Sequence, residues 1–206
     1  LFWMYNDCWG EVGWTIVDYY LRRKISFYGV KRAFEPVKLI LRENNDGQMV
    51  IMGCNDTDKD ISFKLRTGWV AFDGSNDDSE TLDVTIPAYS RSVLHVLDAS
   101  RHDKLTGVYY AKPECGCINP AILRAVDTRN LKLCPPKVSI VSSRDEGSDL
   151  LVEIKADTYC HGVYLDTGVE WKLSDNYFDL LPGETRTVRV YGAAGKSFDL
   201  KTVLVG

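Results

Sequence analysis

Apolar and polar residues alternate along the chain from residue 36 to residue 134, in short runs separated by turn residues. Val37, Leu39 and Leu41 alternate with polar neighbours, and the turn signal Asn45-Asp46-Gly47 follows them. Comparable apolar runs follow at residues 49–52, 61–65, 82–86, 93–97, 107–112 and 122–133. This spacing predicts roughly seven strands, which is typical of an immunoglobulin-like β-sandwich.

A second region with the same pattern follows two consecutive prolines. Cys134-Pro135-Pro136 is the best linker candidate, because proline cannot donate a hydrogen bond to a strand ladder. Six further apolar runs predict strands at residues 138–140, 150–154, 163–165, 178–180, 187–190 and 200–205. Turn residues such as Pro182-Gly183 separate them. We therefore expect a second immunoglobulin-like sandwich over residues 135–206.

The first 35 residues have a different pattern. Residues 1–6 predict a strand, residues 7–22 a loop, and residues 24–34 a helix with Phe27, Val30 and Phe34 at helical spacing. Pro36 ends that helix, because the residue before a proline disfavours helical geometry. Ten of the chain's 23 aromatic rings lie in the first 34 residues and need a larger body to bury them. We predict that the helix packs them, in part, on the first sandwich.

Three motifs in this region resemble the close of the catalytic barrel in β-mannosidase-like enzymes of glycoside hydrolase family 2. They are Trp3-x-x-Asn6-Asp7-Cys8-Trp9, the run from Trp14 to Tyr20, and Tyr28-x-Val30-Lys31-Arg32-Ala33-Phe34-x-Pro36. Far downstream, the run from Ser174 to Glu184 resembles the last β-sandwich of the same enzymes. The order of the motifs implies a resemblance over the whole chain. One departure is Gly10, where family members often have proline.

The resemblance implies a mainly β fold with three parts. Residues 1–35 would be the terminal strand, loop and helix of a (β/α)8 barrel, and residues 36–134 and 135–206 would be the two sandwiches. The parent protein would be a retaining exo-β-glycosidase, most like a β-mannosidase, that hydrolyses terminal β-mannosides. Retaining hydrolysis needs two carboxyl groups, which the resemblance places on earlier barrel strands. We therefore expect no catalytic residue in this chain, no activity of the chain by itself, and packing against the missing barrel.

The resemblance also implies substrate-binding residues, with a β-linked oligosaccharide as the partner. Trp3 would end the last barrel strand and line the subsite next to the scissile bond, with a cis peptide bond between Trp3 and Met4. Asn6, Asp7 and Trp9 would border the same pocket. From the residues alone, a core role for Trp3 and a turn role for Asn6 and Asp7 stay open. Glu11 is expected to be a solvated loop carboxylate rather than a catalytic one.

Two other function classes remain. One is a different family 2 exo-glycosidase, such as an exo-β-glucosaminidase or a β-galactosidase-like enzyme. The other is a carbohydrate-binding or scaffold module, in which aromatic residues of the sandwiches form a stacking platform. For the candidate platform we expect core positions instead, because aromatic residues at alternating strand positions are normally buried; these are Trp69, Tyr109, Tyr110 and Trp171.

Composition and charge argue against nucleic-acid, membrane and metal partners. The net charge of −4 argues against nucleic acid, because phosphate neutralisation needs a basic face. No apolar run approaches the roughly 20 residues of a membrane span. The six cysteines are irregularly spaced, so we expect buried or idle thiols, with no metal site and no cofactor. The compartment stays open, with periplasmic, secreted or lysosomal locations favoured over a nuclear one.

Overall fold

The computed structural model describes residues 3–10, 13–168 and 171–203, and it divides into two compact units. One unit comprises residues 35–134. The other combines the described residues up to 34 with those from 135 onward. We call them the middle unit and the split unit. Strands dominate both units. No helix among the described residues is long and apolar enough to cross a membrane.

The middle unit is built from seven antiparallel strands, β1 Val37–Glu43, β2 Met49–Asn55, β3 Ile61–Ala71, β4 Asp77–Ile86, β5 Ser90–Leu97, β6 Gly107–Pro113 and β7 Ala121–Leu123. They form a three-stranded sheet in the order β1-β2-β5 and a four-stranded sheet in the order β4-β3-β6-β7. Leu39 and Ile51 of the first sheet share one core with Leu65 and Tyr109 of the second. The apolar runs in the sequence therefore predicted most strands of this unit, although β2 buries six of its seven residues rather than one in two.

Two expectations for this unit need correction. The run 122–133 is not one strand, since β7 ends at Leu123 and a 3₁₀ turn spans Thr128–Asn130. The Asp127 side chain accepts a hydrogen bond from the Arg129 amide and so starts that turn. Cys115 and Cys117 form a disulfide and are not idle thiols. No cluster of potential metal ligands occurs within the described ranges.

The aromatic residues of the sandwiches are divided between core and surface. Trp69, Tyr109 and Tyr110 are buried, as expected for alternating strand positions. Trp171 is only partly buried, and its ring meets the edge of Phe198. The first three rings are therefore unavailable as a stacking platform.

The split unit contains one helix and six antiparallel strands: α1 Ile25–Ala33, β8 Val138–Glu146, β9 Asp149–Ala156, β10 Cys160–Asp166, β11 Phe178–Leu180, β12 Thr185–Val190 and β13 Asp199–Lys201. The strands form two three-stranded sheets, β12-β9-β8 and β11-β10-β13. Val152 and Val188 of one sheet share a core with Val163 and Phe178 of the other. The last strand is shorter than the expected 200–205, of which residues 204–206 lie outside the described ranges.

Helix α1 belongs to the split unit, and the expectation that it packs on the first sandwich was wrong. Tyr28 is buried in the core formed by β9 to β12. Arg32 reaches Asp175 at 2.5 Å between Nη1 and Oδ1, and it also donates to the carbonyls of Asn176 and Tyr177. These partners lie about 143 to 145 residues away in sequence, so local pattern could not indicate them.

The expected strand at the start is also wrong for the residues described there. Between residues 3 and 10 only Asn6 forms a β-bridge, parallel to Val17. The segment is tied to residues 16–17 by a few backbone hydrogen bonds, including Val17 N–H to the Tyr5 carbonyl at 2.9 Å. A strand requires a ladder of successive pairs, and this segment makes one isolated pair. Leu1 and Phe2 lie outside the described residues.

Candidate functional site

Residues 3–9, which we call the aromatic segment, expose most of their rings. Trp3 is 76% exposed, Tyr5 60% and Trp9 75%. Nearby Trp14 is 86% exposed. Single exposed rings are ordinary on protein surfaces, but a concentration of large rings in so short a stretch is typical of a binding surface. The Trp3–Met4 peptide bond is cis, which confirms the geometry implied by the family resemblance.

Asp7 differs from its neighbours because its side chain points inward. It is 3% exposed. One carboxylate oxygen accepts from the Thr15 hydroxyl at 2.7 Å, and the other pairs with the Lys24 ammonium at 2.8 Å. Lys24 also donates to the Gly13 carbonyl at 3.0 Å and to the Thr15 hydroxyl at 2.7 Å. This buried network joins the aromatic segment, the following loop and the start of α1.

Gly13 is explained by the same network. A Cβ atom at this position would lie 2.1 Å from Asp7 Oδ1, far inside contact distance. The loop can therefore close over the carboxylate only because residue 13 has no side chain. Close approach, rather than an unusual backbone angle, is the reason for glycine here.

The structure thus separates the four candidate site residues. Trp3, Asn6 and Trp9 lie on the surface, where a ligand can reach them. Asp7 is buried, and both of its oxygens are engaged with Thr15 and Lys24. Their role in binding substrate stays a prediction. Glu11 lies outside the described residues.

Sequence reasoning missed the residues that hold Asp7. Thr15, Lys24 and Gly13 are 8, 17 and 6 positions away from it, and no helical or strand period connects them. The one available signal was the type of residue. A lysine placed just before a helix, after a loop that contains an aspartate, is compatible with an ion pair but does not specify one.

We predict that Lys24→Met raises the pKa of Asp7. Hydrogen bonds from Lys24 and then Thr15 hold the pKa of this carboxyl below its ordinary value of 3.8. The pKa of Asp7 is lower in the folded protein than in the unfolded chain. The Asp7 carboxylate therefore stabilises the fold at pH values above its ordinary pKa, and this stabilisation is lost as the pH falls through the folded-state pKa. Carboxyl carbon NMR across pH 2–6 measures the titration, with Lys31→Met as the matched control. An Asp7 titration unchanged by Lys24→Met would contradict the assignment.

Comparison with known proteins gives three kinds of similarity. Residues 133–203 match the Ig_mannosidase family model, an Ig-fold domain. Beta-mannosidase B of Aspergillus oryzae is 27% identical over 238 residues, which cover 100% of this chain and 26% of that protein. Beta-mannosidase B of Thermothelomyces thermophilus is 27% identical over 235 residues, covering 100% of this chain and 27% of that protein.

Solved structures extend the similarity to three dimensions. The crystal structure of β-D-mannosidase from Dictyoglomus thermophilum superposes with a TM-score of 0.86 at 25% identity, covering 98% of this chain and 26% of that one. The exo-chitosanase of Amycolatopsis orientalis gives a TM-score of 0.61 at 19% identity, covering 93% of this chain and 28% of that one, and shows a shared fold. The chain spans about a quarter of the length of the relatives it matches. These findings confirm the resemblance stated from the sequence.

Proposed function

We propose that the chain forms the C-terminal, non-catalytic region of a retaining exo-β-glycosidase, specifically a β-mannosidase that hydrolyses terminal β-mannosides. The observation that carries the proposal is the match of the whole chain to about a quarter of proteins named β-mannosidase. The TM-score of 0.86 to a β-D-mannosidase supports it independently in three dimensions.

Within that enzyme, residues 1–35 close the barrel and residues 36–134 and 135–206 form the sandwiches. The order of loop, α1 and strands supports this assignment. The remaining barrel strands would lie in the part of the enzyme outside this chain. They would supply the neighbours that residues 3–6 lack here, and they would cover rings such as Trp14, which is 86% exposed.

Trp3 is the proposed sugar-contacting residue. Its indole presents a flat apolar face on which the C–H face of a mannose ring can pack. Asn6 and Trp9 follow it on the exposed side and would border the bound sugar. Asp7 would act as a positioning residue, because its buried bonds to Thr15 and Lys24 fix the backbone that follows Trp3. The two carboxyl groups that retaining hydrolysis needs would come from the barrel strands that precede this region.

The proposal predicts that Trp3→Ala lowers kcat/KM on 4-nitrophenyl β-mannoside by about tenfold to a hundredfold in the longer enzyme. The loss is expected because the sugar would no longer be held against a rigid apolar wall. Tyr89→Ala is the matched control, since Tyr89 is 75% exposed and lies in the middle unit. The chain by itself is expected to release no nitrophenol. Turnover by the isolated chain would refute its non-catalytic role. An unchanged kcat/KM for Trp3→Ala would refute the proposed contact between Trp3 and the sugar.

A second candidate is another exo-glycosidase of the same fold. The similarity to an exo-chitosanase over 93% of this chain is the observation that favours it. The two candidates are separated by comparing the longer enzyme on 4-nitrophenyl β-mannoside and 4-nitrophenyl β-glucosaminide. A higher kcat/KM on the mannoside supports the first proposal, and the reverse order supports the second.

A further inference from the structure

The split unit contains a cavity of about 360 Å³ that the proposed function does not use. One side is formed by the end of the loop before α1, with Arg22 and Arg23. The other side is formed by the end of β10 and by the segment before β11, with Tyr164 and Tyr177. Its volume is at the lower end of the range for small-molecule sites. We call it the tyrosine cavity.

Aromatic rings form one wall of the tyrosine cavity. Tyr164 and Tyr177 stack with ring centroids 4.8 Å apart and an interplanar angle of 20°. Tyr28 lies against Tyr177 at 6.0 Å. Trp171 also lines the cavity. Several rings therefore contribute to this wall, although most of the exposed lining of the cavity is polar.

Tyr177 occupies a backbone conformation that is rare for a large side chain. Its φ of 54° lies in the left-handed region. Neighbouring bonds hold it there: Arg32 donates to the Tyr177 carbonyl at 3.0 Å, and the Asn176 side chain bonds both the amide and the carbonyl of Leu165, at 2.9 and 3.2 Å. Such enforced outliers are concentrated at functional sites. Here the conformation sets the ring of Tyr177 against Tyr164.

Hydrogen-bonding groups face this wall and remain available. Arg22 uses its Nε to pair with Asp18. Its guanidinium lies over the Tyr20 ring, 4.8 Å from the centroid. Among the described residues, its two terminal nitrogens and the hydroxyls of Tyr164 and Tyr177 form no hydrogen bond. The carboxylates of Asp18 and Asp166 also line the cavity, and they would repel an anion such as phosphate.

We propose that the tyrosine cavity binds one sugar ring of a neutral oligosaccharide. A pyranose has an apolar C–H face, which the tyrosine wall accommodates, and a rim of hydroxyl groups, which the guanidinium and phenol groups can hydrogen-bond. The cavity therefore holds a saccharide by its shape and its mixture of rings and donors. That the sugar is a β-mannoside rests on the proposed function.

Isothermal titration calorimetry of the full chain with β-1,4-mannotriose tests this. We expect saturable heat, and about tenfold weaker binding for Arg22→Gln and for Tyr164→Leu, which remove a donor and a ring respectively. Tyr191→Leu is the matched control, because Tyr191 is in the same unit, 46% exposed and outside the cavity lining. Circular dichroism establishes that each variant is folded, and Arg22→Gln keeps the test decisive should Tyr164→Leu unfold.

No saturable heat with mannotriose, or binding that survives both cavity substitutions, overturns the proposal. Heat with inorganic phosphate in place of mannotriose also overturns it. The two proposals fail separately. An active longer enzyme whose C-terminal chain does not bind mannotriose refutes only the cavity, and binding by a chain whose longer protein cleaves no β-mannoside refutes only the proposed activity.

Discussion

Asp175→Ala is expected to destabilise the split unit by about 3–5 kcal/mol, the cost of leaving a buried charge network without one partner. Asp175 is 8% exposed. It pairs with Arg32 of α1 at 2.5 Å and with Arg186 of β12 at 2.7 Å. It therefore joins the helix to the sheet through two cations that would otherwise repel each other.

The electrostatics of Arg186 explain why the loss should be large. Burial lowers the pKa of this guanidinium, and the Asp175 carboxylate opposes that effect. The Arg186 guanidinium also lies over the Phe178 ring at 4.6 Å, which keeps it in place when the carboxylate is removed. Without Asp175, the charge stays buried and loses the carboxylate that lies 2.7 Å from it.

Urea unfolding of the chain measures the loss in the free energy of unfolding that Asp175→Ala causes. Asp157→Ala is the control, because its pair with Lys155 is on the surface and is expected to contribute within about 0.5 kcal/mol. Adding Arg186→Met to Asp175→Ala should restore part of the lost stability, since one of the two cations that Asp175 pairs with is then gone. A loss no greater than that of the control, or no recovery in the double variant, would show that the network does not hold the helix.

The strands of this protein follow from its sequence, whereas the location of the helix does not. Residues such as Leu39 and Val188 obey a period of two, and the position of a strand depends mainly on that local period. The helix also follows its own period, but its burial depends on Asp175, about 143 residues away. Contacts of that kind depend on shape and charge matching in three dimensions, which a single sequence does not display.

In the candidate site, too, the sequence predicts some features and leaves others out. Trp3 and Trp9 are exposed, and their contact with a sugar stays a prediction. Asp7 was grouped with them because the family resemblance places this segment at the border of the pocket, but its carboxylate is paired inside the protein with Lys24. The sequence shows that residue 7 carries a carboxylate. Only the folded loop shows that this carboxylate pairs with Lys24 and accepts a hydrogen bond from Thr15.

Tyr28→Ala is expected to lower the stability of the split unit by about 3–4 kcal/mol, because it empties a buried aromatic site. Tyr28 is 3% exposed and lies in the core with Val163 and Phe178. Its ring also meets the edge of Phe27 at 5.4 Å. Tyr28→Phe keeps the ring and should cost no more than about 1 kcal/mol, because only the hydroxyl group is lost.

Hydrogen exchange shows which unit depends on the helix. In Tyr28→Ala, amides of α1 and β9 should lose protection together, because their side chains share a core, while those of β2 in the middle unit should keep it. Ile25→Ala is the matched control, since Ile25 is in the same helix and 58% exposed. Loss of protection in β2 with β9 unchanged would place the helix on the first sandwich after all, and would remove the basis for treating the two ends of the chain as one folding unit.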